Sequence, residues 1–134
     1  MEWTQDLSTG VNEIDDQHKE LFLRINSLLD SCRQGRGKAE VGKVIIFLED
    51  YVLTHFGTEE KYMIESGYPD FVSHKAQHTE FIANFSELKG KFQNEGVGVH
   101  VVLHANRLVV DWLINHIRKK DKSLGGFLKT NLKT

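Results

Sequence analysis

One cysteine and one proline in 134 residues set the first limits. Cys32 alone forms no internal disulfide and builds no cysteine-based zinc site, and it suits a reducing cytoplasm. With proline only at position 69, long uninterrupted helices are expected, and few stretches alternate with period two. The longest apolar run is far short of a bilayer span. Met1-Glu2-Trp3-Thr4 lacks the basic start and apolar stretch of a signal peptide. Net charge is −2 with no basic stripe, which argues against nucleic acid as a partner. Apolar content of 40% and charged content of 27% are ordinary for a globular protein, and the length fits a single domain over residues 1–134 with one core.

What is present is helical periodicity. Residues 1–11 read as an arm, with Trp3 and Leu7 as its apolar contacts and Gly10 as its turn. From Asn12 to Arg33, Ile14, Leu21, Ile25, Leu28 and Cys32 mark one stripe, with His18 on it and Asp15, Lys19 and Asp30 off it. Gln34-Gly35-Arg36-Gly37 ends this helix. A second helix is expected over Lys38–Ser66, where Val41, Val44, Ile45, Leu48 and Val52 lead to His55, Glu59, Tyr62 and Met63. Gly57 lies inside it at a cost of roughly 1 kcal/mol against alanine, as if backbone or metal came close there. After the turn Ser66-Gly67-Tyr68-Pro69-Asp70, a third helix to about Phe92 aligns Phe71, His74, His78, Phe81, Phe85, Leu88 and Phe92. The turn Asn94–Gly98 precedes a fourth helix from Val99 to Arg118, with Val102, Ala105, Val109, Trp112, Leu113 and His116 inward. Residues Lys122–Thr134, including Phe127, Leu128 and Leu132, read as a short tail packed back on the bundle. Four long helices with short turns predict an all-α, antiparallel up-down-up-down four-helix bundle with an N-terminal arm and a short C-terminal segment.

Two His-x-x-x-His pairs occur, His74/His78 and His100/His104, and each places two imidazoles one turn apart on one helix face. Spacing does not separate them; the face does. The first pair shares the apolar stripe. The second shares its face with Arg107, Asp111, Asn115 and Arg118, so it is expected to be solvated surface.

Five histidines (His18, His55, His74, His78, His116) and Glu59 therefore lie on apolar stripes. A single core histidine bonded to a carbonyl is commonplace, but six buried polar groups at one depth are costly unless something pairs them. Up-down connectivity brings His18, His55, His74 and His116 to one end of the bundle. Asp121 follows His116 by five residues, so it joins the same site only if the helix widens or ends there. A pair of metal ions resolves the cost. Five imidazoles, two bridging carboxylates (Glu59 and Asp121) and a bridging oxide or hydroxide fill all but one position on two octahedral ions. One open position inside an apolar bundle points to a small ligand. Mixed nitrogen and oxygen donors without thiolate disfavour structural zinc and are compatible with iron.

Together Ile14-Asp15-Asp16-Gln17-His18, His55-Phe56-Gly57-Thr58-Glu59, His74-Lys75-Ala76-Gln77-His78 and His116-Ile117-Arg118-Lys119-Lys120-Asp121 resemble the ligand set of the hemerythrins. Gly67-Tyr68-Pro69 and Trp112-Leu113-Ile114-Asn115-His116-Ile117 fit as well, and Trp3 with Gly10–Asp15 is similar to the prokaryotic single-domain branch, bacteriohemerythrin. The resemblance spans essentially the whole chain. It implies a non-haem centre of two iron ions (Fe2+/Fe3+) with an oxo or hydroxo bridge that binds dioxygen reversibly, for carriage, storage or delivery. His74, His78 and His116 would hold one iron, His18 and His55 the other with the open position, and Glu59 and Asp121 would bridge. Phe56, Trp112, Leu113 and Ile117 would wall the oxygen pocket, although plain core packing explains each equally well. The competing readings are oxygen or nitric-oxide sensing and a di-iron oxidase or peroxidase. Oxygen-activating bundles rely mostly on carboxylates with Glu-x-x-His repeats, which are missing here, so a binding protein rather than an enzyme is expected.

Overall fold

The computed structural model describes residues 2–35, 38–96 and 98–131, with backbone alone at 38, 95, 99, 100, 102, 106 and 131. Three uninterrupted helices come first: α1 (Asn12–Arg33), α2 (Lys38–Ser66) and α3 (Phe71–Glu95). A fourth rod follows in pieces: α4 (Val99–Ala105), a widened stretch Asn106–Asp111, α5 (Trp112–His116), a second widened stretch Ile117–Asp121, and α6 (Lys122–Asn131). No strand occurs among the described residues. Neighbours in sequence pack side by side, and α1 also meets the fourth rod, which closes an antiparallel bundle. No helix among the described residues is long and apolar enough to cross a membrane.

Most apolar stripe positions face inward as their spacing predicts; Val44, Tyr62, Phe71 and Trp112 are half-buried, and the Val102 side chain falls outside the described residues. Ile14, Leu21, Ile25, Leu28 and Cys32 of α1, and Val41, Ile45, Leu48, Val52 and Met63 of α2, are buried. So are Phe81, Phe85, Leu88 and Phe92 of α3. Each fully buried side chain of the size of Leu21 or Phe81 contributes roughly 1.5–3 kcal/mol. These residues form two apolar clusters. The larger runs from Cys32 and Val41 up to Phe56 and Ile117. The smaller consists of Ile14, Met63, Tyr68, Leu124 and Leu128. Between them lies one polar layer, to which α1, α2, α3 and the fourth rod each contribute.

Two glycines serve the backbone. Gly67 has φ 67° and ends α2, letting Tyr68 N–H reach back to Met63 O at 2.9 Å. At Gly125 an added Cβ would lie 2.1 Å from Thr9 O, so only glycine lets the N-terminal arm seat on α6.

Four expectations need correction. The residues after Lys122 pack on the bundle as expected, but not as a separate short tail: the rod continues as helix to Asn131, burying Leu124 and Leu128, because the widened turn carries the backbone past Asp121 without a break. The expected packing of Leu132 falls outside the described residues. Asp15, placed off the stripe by its spacing, is buried, because the arm folds over it. Thr9 N–H and Thr9 Oγ1 donate to its Oδ1 at 2.8 and 2.7 Å, and Ser8 Oγ donates to Oδ2 at 2.5 Å. A methyl group added at Gly57 would meet nothing within 4 Å on its open helix face, so neither backbone nor metal accounts for this glycine. Finally, α3 extends beyond Phe92 to Glu95. The arm itself is as expected: Leu7 is buried, and Trp3 packs half-buried on the core with Lys19 Nζ 4.5 Å above its ring.

Candidate metal centre

All seven residues singled out from the sequence meet in the polar layer. His18 comes from α1, His55 and Glu59 from α2, His74 and His78 from α3, His116 from α5, and Asp121 from the end of the second widened turn. All are buried. Asp121 reaches the layer because the helix widens rather than ends: Lys122 N–H bonds to Ile117 O, five residues back instead of four. That wider loop brings Asp121 Oδ1 to 3.1 Å from His116 Nε2.

The five imidazoles present the same atom, Nε2, to the centre. His18 Nε2 lies 2.9 Å from Asp121 Oδ2 and 3.6 Å from Glu59 Oε2, and His55 Nε2 lies 3.2 Å from Glu59 Oε2. His74 Nε2 sits 3.3 Å from Glu59 Oε1 and 3.0 Å from Asp121 Oδ1, and His78 Nε2 sits 3.0 Å from Glu59 Oε1. Each carboxylate is thus split. Glu59 Oε2 and Asp121 Oδ2 face His18 and His55, while Glu59 Oε1 and Asp121 Oδ1 face His74, His78 and His116. Two donor groups result, one of three histidines and one of two, sharing both carboxylates.

The electrostatics call for positive charge. Burial works against a charged His18, yet the adjacent carboxylates of Asp121 and Glu59 outweigh it and push its pKa up to about 9. His74 balances the same way, burial against Asp121 and Glu59, and is also raised to about 9. Burial would likewise raise Glu59, but His55, His18 and His74 hold it well below the usual carboxylate range. Asp121 is depressed as well: burial and repulsion from Glu59 are outweighed by His116 and His18. Protons only partly satisfy these anions. His55 Nε2, His116 Nε2, Glu59 Oε2 and Asp121 Oδ1 are buried and make no aligned hydrogen bond despite their short contacts. Inward lone pairs left unpartnered around two buried carboxylates fit a pair of divalent cations. The all-imidazole and carboxylate donor set, with Cys32 elsewhere in the core, fits iron.

Three residues that sequence reasoning missed hold the rings in place. His55 Nδ1–H donates to Gln17 Oε1 at 2.8 Å, and Gln17 Nε2–H donates to Thr58 Oγ1 at 3.0 Å, which fixes the amide's orientation. His116 Nδ1–H donates to Gln77 Oε1 at 2.8 Å, and His78 Nδ1–H to Glu60 Oε2 at 3.1 Å. Placing the proton on Nδ1 leaves Nε2 as the inward donor. The glutamines were legible only as a repetition, Gln17-His18 and Gln77-His78, and each bonds a histidine of the next helix rather than its neighbour.

Aromatic rings cover the three-histidine side. Phe56 stacks on His78 with centroids 3.8 Å apart, and Trp112 stacks on His116 at 4.7 Å. Phe56, Leu113 and Ile117 are buried, whereas Trp112 is half-buried. Of the second histidine pair, the His100 side chain falls outside the described residues. His104 is not among the donor groups, and it is half-buried rather than solvated, lining a cleft with Asn84, Glu87 and Lys91 of α3.

Comparison with known proteins agrees with the geometry. The family model described as the hemerythrin HHE cation binding domain matches residues 9–128. The bacteriohemerythrin of Methylococcus capsulatus is 40% identical over 126 residues, covering 93% of this chain and 94% of that protein. That of Pseudomonas aeruginosa strain PAO1 is 38% identical, covering 98% and 94%. A wild-type hemerythrin crystal structure superposes with a TM-score of 0.84 at 40% identity, over 96% of this chain and 97% of that one. By sequence, fold and the composition of its buried polar layer, the chain belongs to the hemerythrin family.

Proposed function

We propose that this protein binds dioxygen reversibly at a non-haem di-iron centre, as a carrier, store or delivery protein. The observation that carries the reading is the division of each carboxylate, one oxygen toward each histidine group. In this assignment His74, His78 and His116 would hold one iron and His18 and His55 the other, with Glu59 and Asp121 shared between the two groups. When bound, two ferrous ions supply electrons that dioxygen takes up and returns.

The residues of the chain supply the rest. Five imidazoles and two shared carboxylates give the two-histidine side one donor fewer than the three-histidine side, so a small ligand would enter there. Gln17 and Gln77 keep His55 and His116 in the tautomer that presents Nε2 inward. Phe56, Trp112, Leu113 and Ile117 form the apolar wall that keeps out water and external protons, which would otherwise turn reversible binding into oxidation. The histidine-rich donor set favours binding over oxidase or peroxidase chemistry. A lone, buried Cys32 suits a reducing compartment, and we place the protein in the cytoplasm.

Anaerobic reconstitution with ferrous iron followed by oxygen titration tests the reading. Two irons per chain are expected, with a charge-transfer band that rises in oxygen and vanishes under vacuum. A single iron, a preference for zinc, or oxidation that vacuum does not reverse would overturn it.

A further inference from the structure

The first widened stretch of the fourth rod has no part in the metal layer. Over Asn106–Asp111 the backbone again bonds five residues back, Trp112 N–H to Arg107 O. Beside it, between α3 and the rod, opens a cleft of about 640 Å³, within the size range of small-molecule sites. None of its lining residues belongs to the donor set.

The cleft has two chemically different walls. Lys91 from α3 and Arg107 from the rod supply cations, and neither has an ion-pair partner among the described residues. His104 adds a buried Nδ1 with no hydrogen-bond partner. Glu87 and Asn84 also line this side, so the cleft keeps one positive charge in excess. The other wall is apolar: Leu103, 51% exposed, and the indole of Trp112. A lysine and an arginine without ion-pair partners among the described residues and an uncovered leucine share one concavity. Each lacks what an amphipathic anion carries.

We propose that this cleft binds a small organic anion, an oxyanion headgroup on a compact apolar body. Arg107 and Lys91 take the headgroup, the guanidinium offering a planar pair of N–H donors. Leu103 and Trp112 cover the body. Carboxylate and phosphate monoester headgroups share this chemistry.

Isothermal titration of the iron-loaded full chain with phenyl phosphate, phenylacetate and inorganic phosphate tests the site, with the iron-centre absorption recorded in parallel. One saturable site per chain is expected for phenyl phosphate or phenylacetate, and the stronger of the two identifies the headgroup. The Lys91→Gln/Arg107→Gln double variant, altered only at exposed positions, should bind about tenfold more weakly or worse. Leu103→Asn should weaken the aromatic probes and leave the iron spectrum unchanged. The proposal fails if neither aromatic probe saturates at millimolar concentration or if inorganic phosphate binds as well as both. It also fails if the double variant retains full affinity, which together with a perturbed iron spectrum would place the anion at the metal instead. Loss of reversible oxygen binding in the unmodified protein would count against the carrier reading without touching this one.

Discussion

Phe56 lies flat on His78, with ring centroids 3.8 Å apart and planes 8° from parallel. On its far edge His78 meets Glu59, and its Nδ1 meets Glu60, so the imidazole is held on three sides. His78→Ala should therefore lower the iron content below two per chain and abolish the oxygen-dependent band. His104→Ala, in the separate cleft, should retain both. Metal analysis and absorption spectra on the two variants decide it, and equal damage in both would refute the assignment of faces.

Gln17 and Gln77 act through the rings they orient. Replacing either with alanine should weaken metal binding by about 10- to 100-fold, with helicity by circular dichroism unchanged. The Gln17 variant should disturb the two-histidine side and the Gln77 variant the three-histidine side. Competition with a calibrated chelator measures the first effect. A wild-type affinity in both would remove them from the site's machinery.

Gly57 occupies an exposed position in the interior of α2, with open space around it. Alanine there should stabilise the protein by roughly 1 kcal/mol through helix propensity alone. Thermal or urea unfolding reads the gain, and a loss of stability would reveal a constraint that the packing around this residue does not show.

Asp15 makes the arm sensitive to acid. Burial would raise its pKa, but hydrogen bonds from Ser8 and Thr9 hold it below the usual carboxylate range, with His18 contributing in the same direction. A carboxyl lowered on folding stabilises above its unfolded value, near 3.8, and loses that contribution as pH falls through its folded value. Emission from Trp3 should shift below about pH 4 as the arm releases. Asp15→Asn should loosen the arm already at neutral pH and lack that acid step; an unchanged acid profile in the variant would refute the latch.

The bundle and the buried polar layer were legible because both rest on one periodicity. His18, His55, Glu59, His74, His78 and His116 stand where a 3.6-residue repeat demands apolar side chains, and burial follows from position alone. Gln17 and Gln77 were hidden because each sits beside the stripe and acts across to another helix, a relation that no spacing within one helix encodes. Asp15 was hidden for a similar reason: the arm, not its own helix, buries it. His116 and Asp121 left two options open, a helix that widens and one that stops. Choosing between them depended on whether residues beyond Lys122 had a core to join, which Leu124 and Leu128 provide.

The widened turn at Ile117–Asp121 also has a consequence for protein design. Its additional residue lets one rod carry both His116 and Asp121 into the layer and still aim Leu124 at the core. A straight designed helix bearing the same His-x-x-x-x-Asp spacing would turn the carboxylate away from the histidine. Transplanting this centre onto an idealised bundle therefore requires deleting one residue between the two donors, to His-x-x-x-Asp, or building the wide turn in deliberately.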